Sequence, residues 1–276
     1  MTDKQVNLYE LVSTSGSTRA TITDFGATLT SFRVAKKKSS ASPTGGNFNS
    51  NAAESESESE SKSESDEVLF VRPDAKLDGS KPISGGVPHC WPQFGPGVIL
   101  QHGFARKCSF DVLHVTSSSI SLRLTHNATS KAEWDEKVNR SNAFHYDYHV
   151  EVMDQGKLVM TSEVKNISTT EEMDFTAALH TYYKLPGIDQ VKVYGMEGLE
   201  FLDKVQDKFN PPPVQDDQTC IQVAGTTSCH EEIHTYIHTY THTYSDACTR
   251  CVCFCQSHQS SDSLCCRRSS VSLFLA

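Results

Sequence analysis

The residues most capable of chemistry lie in an irregular stretch, residues 67–110, and in a second segment near residue 180. Glycine and proline are so frequent in the first stretch that neither a helix nor a central strand can persist through it. The stretch nevertheless carries imidazole, indole, phenyl, amide and guanidinium groups, at His89, Trp91, Phe94, Gln101, His102, Phe104 and Arg106. A long loop with such side chains is more often a functional site than a spacer. A packed surface loop is the alternative.

Two of these residue types favour particular reactions. Histidine titrates near neutral pH and is the usual proton donor in catalysis, which makes His180, in the sequence Leu-His-Thr-Tyr, a candidate acid. The guanidinium of Arg106 has a planar fork of donors that fits a phosphate group. By residue type alone each has a structural alternative. His180 could be a core histidine on a predicted strand, and Arg106 could be a surface arginine.

The elements that must position these residues are predicted to be strands. Alternating apolar and polar residues with Val, Ile, Thr and Phe predict strands within 5–35, 108–127, 143–168, 173–185 and 191–205. The clearest is a hairpin over 143–168 that turns at residues 154–157. Residues 131–141 fit either a short helix or a loop. Many short strands separated by turn residues predict an all-β fold, a large antiparallel β-sandwich, over residues 1–210.

A low-complexity insert, residues 36–66, interrupts this domain. It has almost no residue that could enter a core, and we expect it to be disordered. Residues 54–67 contain seven carboxylates and one lysine, a net of −6 out of −9 for the 276-residue chain. The remainder is only mildly acidic, which argues against a nucleic-acid surface. Serines flanked by glutamates also suit acid-directed kinases, so the insert is either a solvated spacer or a regulated segment.

The compartment is predicted to be the cytoplasm. No apolar run of about 18 residues is present that would predict a membrane helix, and no secretory signal is visible at the N-terminus. Eight of the ten cysteines lie after residue 219, leaving Cys90 and Cys108 in the body of the chain. A body with two thiols fits a reducing compartment.

The segment 211–276 has a different character and is predicted to be a disordered tail. It contains the repeat IHTYIHTYTHTY at 233–244, which is typical of a translated simple nucleotide repeat, and a cysteine cluster. A metal site is the alternative there, with ligands from Cys248, Cys251, Cys253, Cys255, His230 and His234. No second C-x2-C pair stands at zinc-finger spacing, so we expect no metal.

Three ordered motifs resemble the glucose-6-phosphate 1-epimerases, the phosphosugar branch of the aldose 1-epimerase superfamily. They are DAKLDGSKPISGGVPHCWPQFGPG followed by QHGFAR, then ALHTYYKL at 178–185, then GMEGLEFLDKV at 195–205. The resemblance covers about residues 7–209. It implies a β-sandwich without metal or cofactor that acts on a phosphosugar. We further expect a monomer and, from the charge balance and the hydropathy given above, neither a nucleic-acid nor a membrane partner.

The resemblance also implies roles for particular residues. His180 matches the family's acid, and Arg106 matches the arginine that holds phosphate. Gln101 and Asp203 match positions that hydrogen-bond the sugar, and His102 is expected to shape the pocket. Trp91 or Phe94 is expected to form an aromatic floor beneath the sugar.

The chain departs from the family at two places. Ser84 stands where many members have an arginine, which removes one possible phosphate contact that Lys81 or Arg72 would have to replace. After Lys204 we find neither the family's Trp-Asn-Pro-Trp segment nor its glutamate base, and Glu231 and Glu232 are not in a predicted strand. The chain is therefore expected to be a glucose-6-phosphate 1-epimerase that is a poor catalyst or none. A non-catalytic carbohydrate-binding sandwich and an unstable fragment are the alternatives.

Overall fold

The computed structural model of this chain describes residues 6–36 and 65–185 in full and, beyond them, the course of six strands. A four-stranded antiparallel sheet in the order β1-β2-β3-β4 comes first. Its strands are β1 (Leu8–Val12), β2 (Thr18–Thr23), β3 (Leu29–Ala35) and β4 (Ser65–Glu67). The strands predicted within 5–35 are thereby confirmed.

A five-stranded antiparallel sheet forms the second layer, in the order β16-β9-β8-β7-β6. It contains β6 (Asp111–Val115), β7 (Ser119–Thr125), β8 (Phe144–Met153), β9 (Lys157–Asn166) and β16 (Arg268–Leu275). The predicted hairpin is confirmed, because β8 and β9 pair from Phe144↔Asn166 to Met153↔Lys157. Strands β1 and β2 of the first sheet contact β8.

Three small antiparallel sheets complete the described strands: β15-β10-β5, β11-β14 and β12-β13. Their strands are β5 (His89–Cys90), β10 (Met173–Leu179), β11 (Lys192–Tyr194), β12 (Leu199–Leu202), β13 (Pro213–Asp216), β14 (Cys220–Gln222) and β15 (Phe254–Gln259). The predicted all-β fold is confirmed.

The core lies between the two large sheets because alternate side chains of each strand point inward. On β8 the buried residues are Phe144, Tyr146, Tyr148, Val150 and Val152. From the first sheet, Leu11, Ile22, Leu29 and Phe32 are buried against them. Trp91, from the irregular stretch, is fully buried and contacts the rings of Phe104, Trp134, Phe144, Tyr146 and Phe175.

The segment after β7, predicted to be either helix or loop, is helical. It comprises α1 (Ala128–Ser130), a π-helical turn (Lys131–Asp135) and α2 (Glu136–Val138). The side chain of Asn127 caps the first turn by accepting from the Ser130 N–H at 3.0 Å. Asn139, in the left-handed region at φ 50°, ends the last turn.

The irregular stretch 68–110 holds two short regular elements, β5 and a 3-10 turn (Ala105–Lys107). Isolated bridges join it to the rest, including Leu29↔Val87 and Leu69↔Tyr183. Gly86 is the point of closest approach to the first sheet: its φ is 70°, and a Cβ there would lie 2.1 Å from the Leu29 carbonyl oxygen. Only glycine fits such an approach with this backbone conformation.

The acidic insert connects two neighbouring strands, since Ala35 at the end of β3 pairs with Ser65 at the start of β4. Ser65 and Asp66, placed in the insert by its composition, therefore belong to a strand. Residues 37–64 lie outside the described residues, and the prediction of disorder for them stays a prediction.

Glu67, at the end of β4 directly after the insert, binds neighbouring residues through both carboxylate oxygens. Its Oε1 accepts the N–H groups of Phe32 and Leu69 at 2.8 and 3.1 Å. Its Oε2 accepts from the Ser31 hydroxyl and from Arg33 Nε, the latter at 3.2 Å. The sheet is thus closed directly after the insert.

Four strands, β13–β16, lie within the segment 211–276 predicted to be a disordered tail. Two of them join elements of the sandwich: β15 pairs with β10, and β16 pairs with β9. The rest of the segment lies outside the described residues. This includes the cysteine cluster except for Cys255, which lies in β15.

Candidate active site

His180 lies immediately after β10, which ends at Leu179. The predicted strand over 173–185 is therefore too long. The main chain nevertheless stays bound to the irregular stretch, because the His180 N–H donates to the Pro88 carbonyl at 3.0 Å and the Tyr182 N–H donates to the Gly86 carbonyl at 2.8 Å. Main-chain bonds at residues 180 and 182 hold the backbone at His180 in place, and its imidazole is half-buried.

A second imidazole, that of His102, faces the first. The ring centroids of His102 and His180 are 5.9 Å apart. The backbone of His102 is left-handed at φ 67°, which is uncommon for a residue other than glycine and is found preferentially where function requires it. Its Nδ1 accepts a hydrogen bond from the Gly95 N–H at 3.3 Å.

Gln101 and Arg106 extend this group. The side-chain nitrogen of Gln101 lies 3.5 Å from His102 Nε2. A guanidinium Nη2 of Arg106 donates to the Gln101 carbonyl at 3.0 Å. The sequence-predicted residues His180, His102, Gln101 and Arg106 thus form one continuous cluster, which we call the His180 cluster.

Arg106 brings the positive charge of this cluster. Its Nε is buried without a hydrogen-bond partner, and within residues 6–36 and 65–185 no carboxylate forms an ion pair with it. Burial raises the pKa of Tyr182, and the nearby Arg106 charge opposes this rise. Burial likewise raises the pKa of Cys90 to about 12, again against the charge of Arg106. An unneutralised guanidinium of this kind is suited to an anion.

Tyr182 is a residue of the site that the sequence analysis did not select. Its ring centroid lies 4.7 Å from that of His180. The signal was available, because two residues separated by one position on an extended chain point to the same side.

Burial distinguishes between Trp91 and Phe94, the two residues predicted as alternatives for the aromatic floor. Trp91 is wholly enclosed by other aromatic rings and cannot contact a ligand at the surface. Phe94 is half-buried, and its ring centroid lies 5.2 Å from that of His102. Phe94 is therefore the aromatic residue that borders the His180 cluster.

Ser84 and its possible substitutes lie apart from these contacts. Ser84 is exposed, and its carbonyl accepts from the Arg72 N–H at 3.0 Å. The guanidinium of Arg72 is held by both oxygens of Asp74, at 2.9 and 2.7 Å, which neutralises much of its charge. Lys81 is exposed, and Asp203 lies outside the described residues.

His89, another imidazole of the irregular stretch, is a core residue. Its Nε2–H donates to the Ala27 carbonyl at 3.2 Å, so its Nδ1 accepts from the Tyr146 hydroxyl at 2.6 Å. Burial lowers the pKa of His89 to about 4. A neutral histidine with both nitrogens occupied is structural rather than catalytic.

Neither a metal centre nor a membrane span emerges from the part of the chain that the structure describes. There, no group of three or more His, Cys, Asp and Glu side chains is placed to hold a metal ion. None of the helices there is long and apolar enough to cross a membrane.

Solved structures with the same architecture define the class of fold. A galactose mutarotase related enzyme from Lactobacillus acidophilus superposes with a TM-score of 0.53 at 17% identity, over 79% of this chain and 65% of that one. The GalM/aldose epimerase homologue from C. elegans gives 0.54 at 15% identity, also over 79% and 65%. The fold is that of a galactose mutarotase-like β-sandwich.

The family follows from the sequence profile for aldose 1-epimerase, which matches residues 57–268. This chain belongs to the aldose 1-epimerase family, a family of isomerases. The match begins within the acidic insert and ends within the segment 211–276, so it extends past residue 209, where the motif resemblance stops.

Curated relatives share a narrower name. Proteins called "Putative glucose-6-phosphate 1-epimerase" from Cenchrus ciliaris and Escherichia coli (strain K12) are 31% and 30% identical to this chain over 149 residues each. The aligned part is 52% and 51% of this chain but only 45% and 46% of those proteins. The chain thus spans about half the length of the curated relatives it matches.

Proposed function

We propose that this protein interconverts the α and β anomers of a hexose 6-phosphate, with glucose 6-phosphate as the substrate. The observation that carries the proposal is the continuity of the His180 cluster. It sets two imidazoles, an amide and a guanidinium side by side, and this guanidinium forms no ion pair with a carboxylate of residues 6–36 or 65–185. The names of the curated relatives support the same substrate. Phe94 and Tyr182, both half-buried, supply the apolar faces that sugar sites commonly have.

The reaction needs one acid and one base. The base removes the proton of the C1 hydroxyl while the acid protonates the ring oxygen; the C1–O5 bond breaks, C1 turns, and the reverse steps close the other anomer. His180 is the acid in this scheme, because main-chain bonds hold its backbone and its half-buried imidazole remains partly open to a ligand. Because the family's glutamate base was not found after Lys204, water is expected to take the proton of the C1 hydroxyl, which makes the exchange slow.

Arg106 is proposed to hold the phosphate. Its charge lies in the same cluster as the acid, and a guanidinium makes strong, directional hydrogen bonds to phosphate oxygens. Ser84 supplies a hydroxyl where an arginine would supply a second charge. We therefore expect the preference for phosphorylated over free sugar to depend mainly on Arg106.

The test compares Arg106→Ala with Lys107→Ala, which removes an equal charge from the exposed neighbouring residue. Loss of a charged hydrogen bond costs about 1.5–3 kcal/mol. Arg106→Ala should therefore weaken binding of glucose 6-phosphate by this amount and leave glucose little changed, as measured by calorimetry. Lys107→Ala should bind both sugars as the unmodified chain does.

Equal weakening of both sugars by Arg106→Ala would show that this residue only supports the fold. Binding of free glucose and glucose 6-phosphate with the same affinity by the unmodified chain would overturn the assignment of a phosphosugar substrate. Binding without anomer exchange would favour the non-catalytic carbohydrate-binding alternative.

A further inference from the structure

The loop that carries His102, residues 93–103, has no regular secondary structure and is held at both ends; we call it the rim loop. At its start the Phe94 N–H donates to the Thr176 hydroxyl at 2.7 Å, beside a Thr176 N–H bond to the Pro92 carbonyl at 2.8 Å. Directly after its end the Phe104 N–H donates to the Trp91 carbonyl at 3.1 Å. These anchors do not by themselves fix the middle of the loop.

The carboxamide of Gln93 fixes the middle. Its Nε2 donates to the carbonyls of Gly95 and Ile99, each at 3.1 Å, and its Oε1 accepts from the Ile99 N–H at 3.2 Å. The amide therefore replaces a missing neighbouring strand, since it offers Ile99 one donor and one acceptor. The nitrogen faces two carbonyl acceptors and the oxygen faces an N–H donor. The orientation of the amide group is therefore determined as well.

Gly97 packs directly against the carboxamide of Gln93. A Cβ at residue 97 would lie 2.3 Å from the Oε1 of Gln93 and 2.9 Å from its Nε2. The side chain of Gln93 thus occupies the space that any other residue at position 97 would need. The packing leaves the carboxamide little freedom to move.

Gly95 connects the carboxamide of Gln93 to His102 through hydrogen bonds. The Gly95 carbonyl, held by Gln93 Nε2, also accepts from the His102 N–H at 3.4 Å. The N–H of the same glycine donates to His102 Nδ1 at 3.3 Å. One glycine residue thereby binds both the backbone and the ring of His102.

The last of these bonds determines the tautomer of His102. Because Nδ1 accepts a hydrogen bond it cannot carry a proton, so the neutral ring is protonated at Nε2. The Nε2–H group lies on the side of Gln101, and for this tautomer the Gln101 side chain must turn its amide oxygen, which accepts, rather than its nitrogen toward the ring. His102 can thus act as a neutral hydrogen-bond donor toward a sugar oxygen.

We propose that Gln93 is a positioning residue for the epimerase site. Through Gly95 it fixes both the orientation of the His102 imidazole and its Nε2–H tautomer, and this role rests on the proposed function of the His180 cluster. Gln93 itself does not contact the substrate. Its removal is expected to change the chemistry through His102 alone.

The experiment uses the full chain and two variants that reach the same contact by different routes. Gln93→Met keeps the length of the side chain and removes its hydrogen bonds, and Gly97→Ala displaces the carboxamide without removing it. Gln155→Met, at the exposed β8–β9 turn, is the matched control. The tautomer is determined from the nitrogen–proton correlation spectrum of the imidazoles, in which His102→Gln identifies the signals of His102.

The unmodified chain and Gln155→Met are expected to show His102 as the single Nε2–H tautomer. Gln93→Met and Gly97→Ala should show both tautomers, and kcat for anomer exchange of glucose 6-phosphate should fall about tenfold, as is common when a residue that orients a functional histidine is lost. A single Nε2–H tautomer in both variants would overturn the proposal. If one variant does not fold, the other decides.

The two proposals fail separately. A chain that does not accelerate anomer exchange contradicts the proposed function, but its imidazole spectra still test whether Gln93 controls the tautomer of His102. An unchanged tautomer with a lower kcat would contradict the role of Gln93 while leaving the epimerase activity in place.

Discussion

A proton can be delivered to a sugar ring oxygen only from a group that is held at one position, and here main-chain bonds hold the backbone at both histidines. His180 is fixed by its own N–H bond to Pro88, and His102 by its left-handed backbone and its bonds to Gly95. Because the imidazole of His180 takes no part in its main-chain bond to Pro88, substitution of this imidazole should change the chemistry more than the fold.

Substitution of Gly86 is expected to destabilise the protein. A left-handed conformation costs an alanine about 1–2 kcal/mol, and at Gly86 the added Cβ would also collide with the Leu29 carbonyl. We expect Gly86→Ala to lower the free energy of unfolding by more than about 3 kcal/mol, since overpacking adds its own cost. Urea denaturation measures the change.

Gly16 is the matched control for this substitution. It has almost the same φ, 72°, but no atom would lie within 4 Å of a Cβ there. Gly16→Ala should therefore cost only about 1–2 kcal/mol, the conformational part alone. Equal costs at the two positions would show that the Gly86 contact does not shape the irregular stretch.

Sequence reasoning identified most of the described site because its residues occur in long, ordered motifs. His180, His102, Gln101 and Arg106 were all selected in this way, and the structure joins them. The sequence left Trp91 and Phe94 open as the floor residue, because a stretch rich in glycine and proline has no periodicity to show which aromatic side chains point inward. Tyr182 was missed because its place in the motif drew attention only to His180.

At the scale of elements, the short strand β5 joins the core to the site. Its two residues pair with the end of β10, Cys90 with Ala178 and His89 with Leu179, directly before His180. The imidazole of His89 lies among the rings of Phe110, Tyr146 and Tyr148. A charge on His89 would therefore disturb the element on which His180 depends.

The pH dependence of stability follows from this burial. The pKa of His89 is about 4 in the folded protein against 6.5 ordinarily, so below pH 6.5 the unfolded chain binds more protons than the folded one. Stability is thus fully present above pH 6.5 and falls by about 3 kcal/mol as the pH approaches 4. Urea denaturation across this pH range measures the loss, and an NMR titration that places the His89 pKa near 6.5 would contradict it.

The acidic insert is expected to contribute little to the stability of the sandwich. The strands on either side of it are paired at Ala35↔Ser65, and Glu67 fastens the sheet next to that pair. Deletion of residues 54–64 should therefore change the melting temperature little, because the sheet closes without them. A shift of many degrees would mean that the insert packs against the body of the protein.

Element boundaries were predictable where side chains alternate and less so where they do not. The β8–β9 hairpin and its turn followed directly from its period of two. The end of β10 did not, because β-prone residues continue through Thr181, Tyr182 and Tyr183 while their main-chain partners belong to the irregular stretch rather than to a strand. The helical turns of 128–138 were left open because they are too short to show a period.

At the scale of the whole molecule, the sandwich depends on strands far apart in sequence. Strand β16 pairs with β9 along its full length, and β15 pairs with β10. Composition alone did not predict these pairings, because the segment 211–276 has no sustained alternation. The expectations of a monomer, of a missing glutamate base after Lys204 and of a weak catalyst stay predictions.

The most direct test is exchange NMR of glucose 6-phosphate anomers with the 276-residue chain, its His180→Asn variant and the control His114→Asn, an exposed histidine on β6. We expect the chain to accelerate exchange, slowly if the base is weak or absent. His180→Asn should reduce that acceleration by about 10²–10⁴-fold or to the rate in buffer while still binding the sugar phosphate. His114→Asn should behave as the unmodified chain. Acceleration that survives in His180→Asn, or a chain that neither binds nor exchanges glucose 6-phosphate, would contradict the account.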